Sequence, residues 1–344
     1  MKKFEGYTRG INLGGWISQC TDHYNHEHYQ SFITEEDIDK IAAYGLDHVR
    51  LPIDYNVIQN EDGTFIEEGF QYIDLCLKWC HKNNLNVVID LHKCCGFVFD
   101  DDSYCDFFHD EKMQEYFVAL WQELARRYGH LSYVAFELLN EVTKEEMAKP
   151  WNEIIKMTVP KIREIAPDVK IIVGGIYNSS IYGLTLMEAP CADNMVYTFH
   201  CYSPLVFTHQ GAYWVSQMPL DYRVGYPKEV SYLREESRKI FGFDYDNEFA
   251  NIAQGMIDET YFKTMFDTAI KVARQYDVPL YCGEYGVIDL ADCESTVGWY
   301  EDIHKAFEEY GIARCAWTYK AMDYGITQEH CKDIHDTLVN IMKK

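Results

Sequence analysis

Two carboxyl side chains, Glu141 in FELLNEV and Glu284 in YCGEYGV, each stand near the end of an apolar run of the kind that folds as a buried strand. Burying Asn140 and Glu141 behind FELL without partners would be costly, so the pair needs a purpose. Other apolar runs end the same way: Arg50 follows DHV, His92 follows VVIDL, His200 and Tyr202 follow VYTF, and Trp317 follows RCA. A single polar residue at a strand end is ordinarily just a satisfied hydrogen-bonding group, and that is the better reading of a lone histidine. Six strand ends delivering such groups point instead to one shared site. Two carboxyls with an arginine, two histidines, a phenol and an indole around them are the parts needed to break a glycosidic bond. One carboxyl must carry a proton to help the leaving oxygen depart, and the other must be ionised to meet the anomeric carbon. Arg50 can give Glu284 a charge-assisted hydrogen bond and Tyr202 a neutral one, which favours its anion. Glu141, beside a neutral amide, is the candidate for the retained proton.

The elements that must position these groups are eight short apolar runs: RGINLGGW, DHVRLPID, LNVVIDLH, SYVAFELLN, VKIIVGGI, NMVYTFHCY, VPLYCGEYG and IARCAWTY. Most are too continuously apolar for a strand with one wet face and suit parallel strands covered on both sides. Helical patterns lie between them. Phe70, Ile73, Leu77 and Cys80 form one stripe between Glu67 and Lys82, and Phe262, Met265, Phe266, Ala269 and Ala273 another between Glu259 and Tyr276. Thr34 followed by Asp37 reads as a helix start before Ile38 and Ile41. Strand count and alternation predict an α/β fold, a (β/α)8 TIM barrel whose strand ends meet at one mouth, in preference to a doubly wound sheet. No glycine-rich phosphate loop follows the first strand, because Trp16 stands where the helix of a dinucleotide fold should open. The chain is read as a single catalytic domain over 1–344, with an aromatic-rich insertion, 203–258, between strands 6 and 7 as a lid or subdomain.

Composition narrows the partner. The 344 residues hold 55 acidic against 31 basic side chains, a formal charge of −24, and no local basic patch. Such a surface repels nucleic acid and anionic lipid and leaves a neutral polar partner. The start, MKKFEGYTRGINLGGW, has no apolar core of an export signal, and no run reaches the roughly 18 apolar residues of a membrane span. With 12 scattered cysteines lacking the spacing of a disulfide framework, the expectation is a cytoplasmic protein with reduced thiols. Cys94 and Cys95 have no second pair at zinc spacing.

RGINLGGW, HVRLP, DLH, the Asn-Glu pair of FELLNEV, FHCYSP, CGEYGV and AWTYKAMD resemble the motifs of glycoside hydrolase family 5, the retaining cellulases and related β-glycanases. The resemblance covers nearly the whole chain, and is nearest to compact bacterial endo-β-1,4-glucanases. It implies eight active-site positions in order: Arg50, His92, Asn140, Glu141, His200, Tyr202, Glu284 and Trp317. It further implies that Glu141 is the acid/base and Glu284 the nucleophile of a double displacement on a β-glucan or cello-oligosaccharide, without metal or other cofactor. Asn140 would then hold the sugar 2-hydroxyl, Trp317 would offer a flat apolar floor, and His92 and His200 would bind hydroxyls or orient the carboxylates. One departure is plain: after DLH the relatives often carry a second histidine, whereas here Lys93 precedes Cys94 and Cys95.

Other features admit two readings each. HYNHEHY, residues 23–29, has three histidines around Glu27 but poor ligand spacing, and reads as a cleft wall before a metal site. Trp214 and Tyr213 either stack on sugar or fill the insertion's own core. Asn12 and Asn178 are further candidates for hydroxyl contacts, while Trp16, Trp79, Trp121 and Trp299 read as packing. The rival functions are an exo-acting β-glucosidase, a β-mannanase or a glycolipid glycosidase on the same site, a non-catalytic sugar-binding barrel, and a metal-dependent hydrolase. Oligomeric state stays open.

Overall fold

A computed structural model describes residues 2–101, 104–242, 248, 249, 252 and 254–344. Eight parallel strands close in chain order into a barrel: β1 Arg9–Asn12, β2 His48–Asp54, β3 Asn86–Lys93, β4 Val134–Glu137, β5 Lys170–Gly174, β6 Met195–Cys201, β7 Leu280–Tyr285 and β8 Ala313–Ala316. Each lies within one of the eight apolar runs, save that β3 runs one residue past LNVVIDLH to Lys93, and the (β/α)8 expectation holds. The apolar character on both faces follows from the two cores. Val88, Ala135, Ile172, Val196, Tyr281, Ala313 and Cys315 fill the barrel floor with Phe4 and Tyr7, while the outward residues pack against the helices.

The helices form where the stripes put them. Thr34 donates from its amide and its hydroxyl to Asp37, 2.9 Å each, and opens the helix Glu35–Ala43, which buries Ile38 and Ile41. Glu67–Lys82 buries Phe70, Ile73, Leu77 and Cys80, and Glu259–Tyr276 buries Phe262, Phe266, Ala269 and Ala273. The alternation fails once. Between β5 and β6 the described chain makes only the short turn Ile176–Ser179 and the 3-10 turn Gly183–Leu186. Here backbone packs on backbone: a Cβ at Gly183 would stand 2.1 Å from the carbonyl oxygen of Ile176.

The segment 203–258 supplies the helices Leu205–Thr208 and Val230–Phe241, tied at its base by a bridge between Glu229 and Met256. Its residues 243–247, 250, 251 and 253 lie outside the described residues. Val206, Phe207, Tyr226, Val230 and Leu233 join the main outer core instead of forming a separate one. Among the described residues no helix is long and apolar enough to cross a membrane.

Two register shifts sit at the mouth. On β3 the pairing passes from Ile53–Leu91 to Asp54–Lys93, leaving His92 extra, and between β6 and β7 it passes from Phe199–Cys282 to His200–Glu284, leaving Gly283 extra. A bulge re-aims the side chains beside it. Gly283 has to be glycine, because a Cβ there would lie 2.9 Å from Thr198 Oγ1 and 3.1 Å from His200 Nε2.

Close packing at Gly183 gives a stability test. Gly183→Ala is expected to cost about 1–3 kcal/mol in urea unfolding. Gly298→Ala, inside the helix Cys293–Tyr310 with its nearest neighbour at 3.5 Å, should instead be neutral or gain up to ~1 kcal/mol.

Candidate active site

Above the apolar floor lies a polar layer built on Arg50. Its guanidinium is fully buried and its nitrogens are shared among five side chains. Nε and Nη2 grip Glu137 at 2.7 and 3.1 Å, Nη2 also donates to Asn140 Oδ1 at 2.8 Å and meets Asp90 at 3.1 Å, and Nη1 donates to Glu284 at 2.7 Å and Asn12 Oδ1 at 2.9 Å. A planar fork with five N–H donors suits this task, as a lysine would not. Burial works against its charge, yet the three carboxylates hold its pKa well above the ordinary value.

Glu284 has Arg50 on one oxygen and the Tyr202 hydroxyl on the other, 2.8 Å away, both of which favour the anion. Glu141 has no such cation. His200 Nδ1 lies 2.6 Å from its Oε1 and Asn178 Nδ2 donates to its Oε2 at 3.0 Å. Burial dominates and raises its pKa to about 7, with the Asn178 bond pulling the other way. Burial also lowers the pKa of His200, which keeps that ring neutral. Nδ1 of His200 is only 3.6 Å from Glu284 as well, and donor atoms of Glu141, His200 and Glu284 all lie within 4.8 Å of one another. Three such donors could also gather round a cation, but that cation would compete with the proton for the same atoms and would require Glu141 to ionise.

Asn178 reaches Glu141 through an unusual backbone. Tyr177, Asn178 and Ser179 all have φ near +55°: 55°, 55° and 54°. Non-glycine residues in this region cost on the order of 1 kcal/mol each and persist only when neighbours hold them. Here the amides of Tyr177 and Asn178 donate to the carbonyls of Thr143 and Val142, and Ser179 Oγ donates to Asn140 O at 2.8 Å.

Of the residues singled out in the sequence, Arg50, His92, Asn140, Glu141, His200, Tyr202, Glu284 and Trp317 come together at this mouth. His92 gives Nδ1 to Asp90 at 2.7 Å and lies parallel to the Trp317 ring, 5.6 Å between centroids. Trp317 is only 5% exposed, packed on Ala212, Ile288 and Tyr324, so most of its face is already covered. One expectation needs correction. Asn12 does not reach the cleft: it is fully buried, its amide nitrogen spent on the carbonyls of Gly283 and Ala316 and its oxygen on Arg50. Asn178, part-buried, gives Nδ2 to the carboxyl of Glu141. In the insertion, Trp214 and Tyr213 are 43% and 73% exposed, so they do not fill a core; Trp214 lies edge-on to His209. Lys93 turns to Asp100, 3.6 Å away. His26 and His28 bond the Tyr72 hydroxyl and the Gly15 carbonyl, and among the described residues HYNHEHY forms no ligand cluster.

The sequence reading missed Asp90 and Glu137, both fully buried. Their signal was present: each is an acid inside an otherwise apolar strand, a placement that demands a buried cation.

Two carboxyls this close, Glu141 holding its proton near neutrality and Glu284 bonded to a guanidinium and a phenol at the mouth of a (β/α)8 barrel, define a retaining glycoside hydrolase. The family model described as cellulase (glycosyl hydrolase family 5) matches residues 10–323, and the chain belongs to that family. Cellodextrinase A of Ruminococcus flavefaciens is 42% identical over 100% of this chain and 95% of its own length. Endoglucanase C of Acetivibrio thermocellus is 39% identical over 98% of both. Among solved structures, endoglucanase Cel5A of the hyperthermophilic Thermotoga maritima superposes with a TM-score of 0.76 at 25% identity, over 98% of this chain and 97% of that one.

An acid at Glu141 predicts that kcat/KM on a glycoside falls as pH rises through about 7. Asn178→Ala removes a bond that favours the carboxylate and should move that limb to higher pH. A limb that stays put or moves down in a pH–rate profile assigns it to another group.

Proposed function

We propose that this protein hydrolyses β-1,4-glucan chains, cello-oligosaccharides above all, with net retention at the anomeric carbon. The observation that carries the reading is the close pairing of Glu141 and Glu284 across His200, within 4.8 Å, against the roughly 6.5–9.5 Å an inverting pair needs to admit water. The names of the two full-length relatives support the substrate. Glu141 protonates the bridging oxygen while Glu284, freed of competing protons by Arg50 and Tyr202, attacks the anomeric carbon to form a glycosyl-enzyme. Glu141, now ionised, takes a proton from the water that releases the sugar. Asn140 has its oxygen fixed by Arg50, which turns its Nδ2 into an oriented donor for the sugar 2-hydroxyl. Trp317 contributes an apolar wall.

The whole chain works as one catalytic domain, with 203–258 as a lid over the cleft. The exposure of Tyr213 and Trp214 supports that role, since exposed rings beside a polar cleft suit stacking on sugar. A cytoplasmic setting would match short, imported chains.

Proton NMR of fresh product should show the β-anomer first, before mutarotation. Glu141→Gln should lower kcat by about 10²–10⁴-fold and Glu284→Gln by at least as much, while oligosaccharide binding stays measurable by calorimetry. An α-anomer at the outset, or turnover that survives Glu284→Gln, would sink the reading.

A further inference from the structure

His92 is held on three sides. Its Nδ1 faces Asp90 Oδ2 at 2.7 Å, its ring lies parallel to Trp317 with 2° between planes, and the Phe99 ring meets it edge-on at 5.1 Å. Its Nε2 has no hydrogen-bond partner among the described residues, and it is not among the sealed-off buried polar atoms. That leaves Nε2 as the one polar atom His92 can offer to the cleft. Which way it bonds depends on where the single ring proton sits.

Asp90 decides this. The same oxygen, Oδ2, faces both His92 Nδ1 and Arg50 Nη2, the latter at 3.1 Å, while Oδ1 has no partner. A cation so close holds negative charge on Oδ2, so any proton the carboxyl retains belongs on Oδ1. Oδ2 then accepts from His92 with the Arg50 charge beside it as an ion-pair partner, and the ring proton must sit on Nδ1.

We propose that Asp90 is a positioning residue that locks His92 in the Nδ1–H form, making Nε2 a pure acceptor that selects a sugar carrying a free hydroxyl at the position it meets. The inference rests on the glycosidase reading and deepens it, by giving the polarity of one contact. A neutral, acceptor-only imidazole has a consequence for specificity. It grips an O–H and gains nothing from an ether, a fluorine or a bare methylene, because none of these can donate. Burial lowers the His92 pKa to about 3, so the ring stays in this neutral state across the working pH range.

The test reads the tautomer directly. In the intact enzyme with ¹⁵N-labelled histidine, long-range proton–nitrogen spectra should show His92, assigned by loss of its signals in His92→Gln, with Nδ1 protonated and Nε2 bare. Asp90→Asn keeps an acceptor oxygen and should keep that pattern, whereas Asp90→Leu should release it and raise KM for cellotetraose by about ten- to a hundredfold. A second reading needs no change at residue 90. Deoxy and deoxyfluoro cello-oligosaccharides titrated onto Glu284→Gln enzyme should include one ring position where both analogues lose affinity equally. A protonated Nε2 in the wild type, or fluorine retaining affinity over hydrogen at every position, overturns the inference. Failure of the wild type to cleave any cello-oligosaccharide would instead strike the glycosidase reading, and the two failures are separable.

Discussion

Everything at the barrel mouth is organised by one buried cation. Arg50 stands in the middle of the barrel with no access to water, and its guanidinium is divided among Glu137, Asp90, Glu284, Asn140 and Asn12. A charge removed from water in this way is tolerable only when its donors are met by well-placed acceptors. Glu137 supplies the tightest grip from below and fixes the plane of the fork. That plane then sets the positions of the Glu284 carboxylate and the Asn140 oxygen above it. Removing Glu137 would leave no chemistry missing from the reacting layer, yet that layer would lose its footing.

The same layer is over-supplied with acids. One guanidinium faces three carboxyls, and a dry interior cannot hold them all charged at little cost. Burial raises Glu137 and lifts Asp90 to about 7, while Arg50 pulls both back. Glu284 takes the remaining share of the cation together with a phenol. Glu141 stands outside the cation's direct reach, bonded only to a neutral imidazole and a neutral amide. The difference between the two glutamates thus follows from burial without a bonded cation at Glu141 and from the guanidinium and phenol bonded to Glu284, not from any difference in their own chemistry.

Much of this could be read in the chain. The strands were visible because parallel strands buried on both faces are apolar throughout, and the helices at Glu35–Ala43, Glu67–Lys82 and Glu259–Tyr276 because each buries one stripe. The mouth residues showed as polar breaks at the ends of those strands. Asp90 and Glu137 stayed hidden because they lie within the strands, and only the pairing of β2, β3 and β4 side by side brings them to one guanidinium. Asn12 was misplaced for a related reason. An asparagine at a strand end looks the same whether it serves a sugar, a backbone carbonyl or a carboxylate, and the choice is made by partners far away in sequence. The missing helix after β5 is set by a contact of backbone on backbone at Gly183, to which hydrophobic periodicity is blind.

The extra residue in β7 carries a lesson about how this barrel can vary. Tyr281 faces the interior, Cys282 the helices, and Gly283 and Glu284 then both belong to the inner side before Tyr285 packs outward on Trp299 and His304. The side that Glu284 faces is therefore set by alternation, and its aim by the bulge. Without Gly283 the residues Tyr281, Cys282, Glu284 and Tyr285 would alternate strictly and Glu284 would still face inward opposite His200, so the bulge sets the local bend that aims the carboxylate at Arg50 and Tyr202, not the side of the sheet it faces. Alternation thus fixes which way Glu284 faces and the bulge only trims its aim, so the rim loops beyond the strand can lengthen or shorten without turning the carboxylate away from the cleft.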